Sequence, residues 1–185
     1  MTAVCDNVVL YPHDLLEIAG DDTSDRRWWV VYTRSRQEKV FCQQLRGLEV
    51  PHYLPLVKKT SYCRGRRFSS QVPLFSGYVF MHGTEHERLA SLTTNRISQI
   101  LAVDDGARLR HDLGQIYRLI ASGAPVTLEQ RLAPGRRVRI RHGALAGLEG
   151  TVLERRGGRR LFVAVDFLQQ GASIDVEDFR LEPID

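Results

Sequence analysis

The sequence predicts an α+β domain, an antiparallel sheet packed on helices, followed by a small all-β barrel. Three observations lead there. Residues 28–122 alternate strand-like and helix-like segments in the order β-α-β-β-β-α-β-α, with hairpin connections among the strands. The segment SGAPVTLEQRLAP then interrupts the pattern with turn and linker chemistry. Beyond it, residues 135–185 hold short strands broken by glycine-containing turns, the texture of a small barrel. The expected boundaries are 1–27 for an acidic, mostly mobile arm, 28–122 for the first domain, 123–134 for a linker and 135–185 for the second domain.

In the arm, the apolar island VVLYPHDLLEIA ends in GDDTSD and reads as part of a tail. WWVVYT, residues 28–33, is rich in aromatic and β-branched residues and reads as a strand. Ser35 and Glu38 have capping-box spacing, and the helix they open carries Phe41, Leu45 and Leu48 on one stripe, with Gly47 placed to end it. HYLPLVKKTSY and RFSSQVPLF flank CRGR as a hairpin with Gly65 in its tip. In LFSGYVFMH, residues 74–82, strand alternation puts Val79 and Met81 on one face and Tyr78 and Phe80 on the other. Thr84 and Glu87 form a second capping box before a short helix with Leu89 and Leu92. ISQILAV reads as a strand. Leu109, Leu113, Ile116, Tyr117 and Ile120 mark a last helix, closed at Ser122-Gly123.

The second domain reads as strands RRVRIR, TVLERR, LFVAVDF, SIDVED and FRLEPI. Gly143, Gly147, Gly150, Gly157 and Gly158 would each cost a helix about 1 kcal/mol relative to Ala. Val138, Val152, Val163 and Val165 favour strands as well.

At 43% hydrophobic and 26% charged, the composition is that of a globular protein, and no run approaches the roughly 20 apolar residues of a membrane span. The start lacks a basic region followed by an apolar core, so a cytoplasmic protein with no membrane contact is expected. Cys5, Cys42 and Cys63 have neither zinc nor disulfide spacing. There is no Gly-rich phosphate loop, nucleophile elbow or paired-carboxylate site; no catalytic residue, cofactor or enzymatic activity is expected. His82 and His86 are four apart, but one ends a strand and the other begins a helix, so they read as surface histidines and no metal site is expected. The net charge of +4 hides an asymmetry: residues 1–27 hold six acids against two arginines, leaving 24 basic and 16 acidic residues, a net of +8, in the rest. A basic body suits polyanionic partners.

Three segments, WWVVYTRSRQEK, PLFSGYVF and PGRRVRIRHGALAGLEGTV, together resemble the NusG family of transcription elongation factors, in the right order and across nearly the whole chain. The first domain resembles the NusG N-terminal domain and the second its KOW domain. RGRRFSSQVPLFSGYVF looks closer to the specialised RfaH-like paralogues, although Leu89-Ala-Ser-Leu92 stands where those carry a His-Thr-Thr-Thr run. The resemblance implies a non-enzymatic, monomeric elongation or antitermination factor. Its first domain would bind the clamp helices of the largest RNA polymerase subunit and stabilise the elongating state. Its second would recruit a small-subunit ribosomal protein or Rho. On this basis Tyr78 and Phe80 line an apolar depression that receives the clamp helices, with Phe75 at its border and Trp29 in the same contact. Arg34, Lys58, Lys59, Arg64, Arg66 and Arg67 lie near upstream DNA and the non-template strand, and Phe167 docks the KOW partner. Blander readings stand beside these: barrel core for Phe167, a solvated face for the cations. The alternative function is a ribosome- or RNA-binding KOW protein acting in translation or ribosome assembly.

Overall fold

The structure, a computed structural model, describes residues 8–17, 25–131, 135–155, 158–176 and 181–184. It consists of two compact units, Met1–Gly106 and Ala107–Asp185, each built on a six-stranded antiparallel sheet.

The first unit contains β1 (Val8–Tyr11), β2 (Arg27–Thr33), α1 (Glu38–Gly47), β3 (His52–Cys63), β4 (Arg66–Pro73), β5 (Tyr78–Gly83), α2 (Glu85–Leu92) and β6 (Ile97–Ala102). The sheet runs β1-β3-β5-β2-β6, and β4 pairs only with β3, outside that path. The segments expected between 28 and 102 all form, in the expected order. One sheet face packs on α1: Trp29, Val31, Leu54, Leu56, Val79 and Met81 meet Phe41, Cys42 and Leu45 in one buried cluster. Leu48, expected on the same helical stripe, is exposed, because the helix closes at this residue. Burial pushes the Cys42 thiol far above its ordinary range, with Glu38 adding to the effect, so it stays protonated.

Two local expectations differ. The capping box at Thr84 forms: its hydroxyl accepts the Glu87 amide at 3.2 Å and the Glu87 carboxylate accepts the Thr84 amide at 2.7 Å. The one at Ser35 does not. Arg36 takes a left-handed φ of 60°, so α1 starts after Gln37 without a side-chain cap, and Glu38 is released for another task. The acidic arm, expected to be mostly mobile, is a strand over part of its length. β1 pairs with β3 from Val8↔Pro55 to Tyr11↔His52, and Leu15 is buried beyond it. The island's apolar residues find an open edge of β3 to cover, which a tail reading overlooks. Residues 1–7 and 18–24 of the arm lie outside the described residues.

The second unit contains α3 (Gly106–Ala121, counted from its second residue), β7 (Thr127–Glu129), β8 (Arg136–Ile140), β9 (Glu149–Arg155), β10 (Gly158–Val165), a 3-10 turn at Asp166–Leu168, β11 (Gln170–Asp175) and β12 (Leu181–Pro183). Its sheet runs β12-β8-β9-β10-β11-β7. Strands therefore form where valines and glycines predict them; Gly157 lies outside the described residues. The expected boundary at residue 122 moves. α3 groups with the second sheet, because Asp112, Gln115 and Arg118 form one polar stripe along it: Asp112 accepts the Asp166 amide at 3.0 Å, Gln115 accepts the Glu149 amide at 3.4 Å, and Arg118 donates to the Ala146 carbonyl. Burial pushes the Asp112 carboxyl up, while the Asp166 amide and Arg108 pull it back down. Part of the expected linker is also a strand. β7 pairs with β11, held by Arg160, which donates to Thr127 at 2.9 Å, Ser173 at 2.9 Å and Asp175 at 2.7 Å.

His52 pairs with Tyr11 of β1 and is a buried titratable group. The ring is buried, 5.9 Å from Tyr11; Nδ1 meets the Val50 carbonyl at 2.8 Å and buried Nε2 has no hydrogen-bond partner. Burial holds its pKa below the ordinary 6.5; the Val50 carbonyl raises it and Arg46, whose guanidinium lies over Tyr11, lowers it further. The folded state keeps His52 neutral while the unfolded chain takes up a proton below that ordinary value. Stability should therefore fall as pH drops from neutral to about 5, and the decline should be shallower in His52→Phe. Urea midpoints across this range check it; an unchanged decline in the variant contradicts it.

Candidate nucleic-acid interface

The sequence places no Asp or Glu between Glu49 and Glu85, an interval that includes β3, β4 and β5. Five of the interval's charges are Lys58, Lys59, Arg64, Arg66 and Arg67. The structure gathers them on one two-stranded ribbon, the distal halves of β3 and β4, in register from Leu56↔Pro73 to Cys63↔Arg66. Arg64 and Gly65 close it as a two-residue turn with φ of 49° and 75°, the positive values a tight hairpin of this twist requires. Leu56 is buried at the root of β3, Val57 and Val72 are half-buried, and residues 58–70 are exposed. The root is fastened twice: the Leu74 amide donates to the Pro55 carbonyl at 2.8 Å, and Lys39 of α1 donates to the Gln71 carbonyl at 2.6 Å. The ribbon is thus a cationic arm on a rigid base. Arg34 is not part of it. It follows β2, separated from β3 by β5, and its guanidinium donates to Asn95 at 3.0 Å.

The turn before β5 is fixed by the carboxylate that α1 released. Buried Glu38 accepts the Gly77 amide at 2.7 Å. The Gly77 carbonyl in turn accepts the Thr33 amide at 2.8 Å and its hydroxyl at 3.3 Å. Gly77 has a φ of +87°, and a Cβ there would stand 2.6 Å from the Tyr32 ring. Tyr32 packs against Tyr78 with ring centroids 5.1 Å apart, and Tyr32 remains 41% exposed.

The aromatic depression expected in LFSGYVFMH is filled. Val79 and Met81 face α1 as expected, but Phe80 and Phe75 are also fully buried, packed edge to face with centroids 6.4 Å apart. Tyr53, which pairs with Phe80 across β3 and β5, is buried with them. Trp29 belongs to the α1 face: it pairs with Met81, donates its indole N–H to the Gly83 carbonyl at 3.2 Å, and has the guanidinium groups of Arg27 and Arg88 at 5.6 Å and 5.4 Å from its ring centre. Trp29, Phe75 and Phe80 are core residues here, a correction to their expected place on an open contact surface. A strand buried on both faces has too few polar positions to show alternation, so the sequence alone could not tell core from contact. Tyr78 alone of the four stays partly open.

In the second unit, Phe167 sits in the 3-10 turn after β10 and is 38% exposed, outside the sheet core formed by Leu161, Phe162, Val163 and Ile174. The turn Gly143–Leu148 is closed by Gly147 donating to the Ile140 carbonyl at 2.8 Å, with Gly143 and Gly147 at φ of 94° and 82°. His82 stacks on Trp28 at 5.1 Å, while His86 is exposed on α2. Among the described residues no three His, Cys, Asp or Glu side chains are grouped to hold a metal, and no helix is long and apolar enough to cross a membrane. Sequence reasoning missed Glu38, Tyr32 and two exposed aromatics on the ribbon, Tyr62 and Phe68. The acid-free interval was the available signal for the last two.

Residues 26–131, more than half of the chain, match the family profile NusG, described as transcription termination factor nusG. A search of curated proteins found no match.

Three substitutions separate frame from surface. Phe80→Ala should cost about 3–5 kcal/mol, the loss for a fully buried Phe, and Tyr78→Ala clearly less. Gly77→Ala should cost about 1–3 kcal/mol through its left-handed backbone and its collision with Tyr32. Urea unfolding checks all three; a Phe80→Ala protein as stable as the parent contradicts the assignment.

Proposed function

The chain belongs to the NusG family of transcription factors, and we propose that it acts in elongation by binding RNA polymerase through its first unit while the β3–β4 ribbon contacts nucleic acid beside the enzyme. The observation that carries this reading is the ribbon itself: five exposed cations on an arm without a single acid, within the stretch that matches the family. Each cation brought to a phosphate releases condensed counterions, which makes the contact tight and salt-dependent without sequence readout. Tyr78 and Tyr32 form an open aromatic pair on the sheet, which supports a polymerase contact there, in place of the buried Phe75, Phe80 and Trp29. Binding the elongating conformation of polymerase better than the paused one shifts the population towards elongation.

We read the second unit as a KOW domain that recruits a small-subunit ribosomal protein or Rho. Its antiparallel strands, its glycine-closed Gly143–Leu148 turn and the exposed Phe167 support this. Purification of the full-length chain after nuclease digestion tests the pairing: recovery with polymerase supports the reading, and recovery with ribosomal subunits alone favours a ribosome-binding protein.

Replacing Lys58, Lys59, Arg64, Arg66 and Arg67 with Ser should weaken binding to a transcription complex and flatten its salt dependence. Each phosphate contact removed should lower the log–log salt slope by about 0.9 on duplex DNA or 0.7 on a single strand. An unchanged slope removes the ribbon from the function.

A further inference from the structure

Among the described residues, the sheet edges follow a rule with one exception. A strand without a neighbour offers a row of unpaired amides and carbonyls, and proteins blunt such edges by keeping them short or by placing charge or proline on them. In the second sheet the edges are β12, Leu-Glu-Pro, and β7, Thr-Leu-Glu: both are short and each has an acid. In the first, β1 has four residues and stops before Pro12, and β4 carries Arg66, Arg67 and Pro73. β6 lies at the other edge and breaks the rule. Its sequence, ISQILA, is six residues long and holds no charge, proline or glycine. Its one described strand partner is β2, and none of its residues is buried. The Val103 amide donates to the Trp28 carbonyl at 3.3 Å, so strand alternation turns the backbone groups of Ile100 and Ala102 away from β2, to the open side. The ends of β6 are charged, with opposite signs. Arg96 precedes it, and exposed Arg34 is held there by its bond to Asn95 at 3.0 Å. Asp104 and Asp105 follow it, both exposed.

We propose that β6 pairs with β6 of a second copy of this chain, antiparallel across a two-fold axis, joining the two first-unit sheets edge to edge. The charges select this occupant. Centred on Ile100, antiparallel pairing sets Arg96 of each copy opposite Asp104 of the other, with Arg34 and Asp105 in the same two clusters. A parallel arrangement would set cation against cation and acid against acid. Because the surface meets its own copy, each favourable contact is made twice. A ladder of six residues is about 20 Å long and buries less than the roughly 1,200 Å² of a standard interface, so the dimer is weak and forms with concentration. The pairing is independent of the ribbon and of the transcription reading, and departs from the monomer that the family resemblance implies.

The test is sedimentation equilibrium of the full-length chain from micromolar to millimolar concentration, with a reductant to keep exposed Cys63 from cross-linking copies. The parent should pass from monomer to dimer, and less readily at high salt. Gln99→Lys puts a charge on the exposed edge, and Asp104→Arg puts a cation opposite Arg96. Each substitution enters the dimer twice and should weaken it about 5-fold or more. Both side chains are exposed, so the melting temperature of the dilute protein should stay that of the parent. A parent that remains monomeric throughout overturns the proposal. So does a dimer that either substitution leaves intact: with Gln99→Lys the contact then lies on another surface, and with Asp104→Arg the strands do not run antiparallel in this register. A monomeric chain whose β6 amides become protected from hydrogen exchange only beside another protein also overturns it, and makes the edge a site for a foreign strand.

Discussion

A single buried carboxylate organises the first unit. Glu38, at the first position of α1, accepts the Gly77 amide, and Gly77 passes the connection on through its carbonyl to Thr33 at the end of β2. One side chain thereby fixes the start of α1, the end of β2 and the turn into β5. The bond is charge-assisted, roughly twice as strong as a neutral one, and both partners are buried. Its geometry also requires the left-handed glycine, since a Cβ there would enter the Tyr32 ring. The next residue of the same helical turn, Lys39, donates to Gln71 at the root of the ribbon. The turn that seats α1 on the sheet thus also anchors the arm that leaves it.

This explains how a small unit can hold a long two-stranded arm in the open. Proximal β3 is buried from His52 to Leu56 and shares its edges with β1 and β5, so the ribbon starts from a strand that cannot slide. A one-residue slip would exchange the Lys58–Tyr62–Arg67 face with the Lys59–Arg66–Phe68 face and unseat Leu54 and Leu56 from the α1 cluster. Core packing and arm orientation are therefore set by the same register. Beyond Val57 the apolar supports stop, and the two strands carry five cations and no acid of their own. The family's role in transcription supplies polyanions in the form of template, non-template strand and transcript.

Order and type of the elements were legible in the sequence because each was announced by its own period: WWVVYT and the hairpin at period two, α2 and α3 by apolar spacing with a cap or a closing glycine. Capping boxes were legible as spacing but not as fact. Thr84 and Glu87 pair, whereas Ser35 and Glu38 do not, because a left-handed Arg36 moves the helix start and a distant glycine amide offers Glu38 a better partner. The role of β1 was hidden for a similar reason: an acidic neighbourhood looks like a tail, and the open edge of β3 that receives VVLY is a property of the assembled sheet. α3 reads equally well with either unit by its apolar stripe; its polar stripe, Asp112, Gln115 and Arg118, decides, and that partner choice is not written in local spacing. Of the candidate site, Lys58, Lys59, Arg64, Arg66 and Arg67 stand together on the hairpin and Arg34 stands apart from them, while Trp29, Phe75 and Phe80 are buried. An aromatic strand buried on both sides and one half open carry the same letters.

The ribbon is the proposed nucleic-acid contact of the first unit, and buried Trp29, Phe75 and Phe80 are frame. Residue-resolved amide chemical shifts of the full-length chain, recorded while a short unpaired oligonucleotide is added, test this directly. The largest shifts should fall within residues 58–71, fading towards Leu56 and Leu74 and leaving β2 and β5 nearly unmoved. Shifts concentrated on Trp28–Thr33 and Tyr78–Gly83, or confined to the second unit, would contradict it.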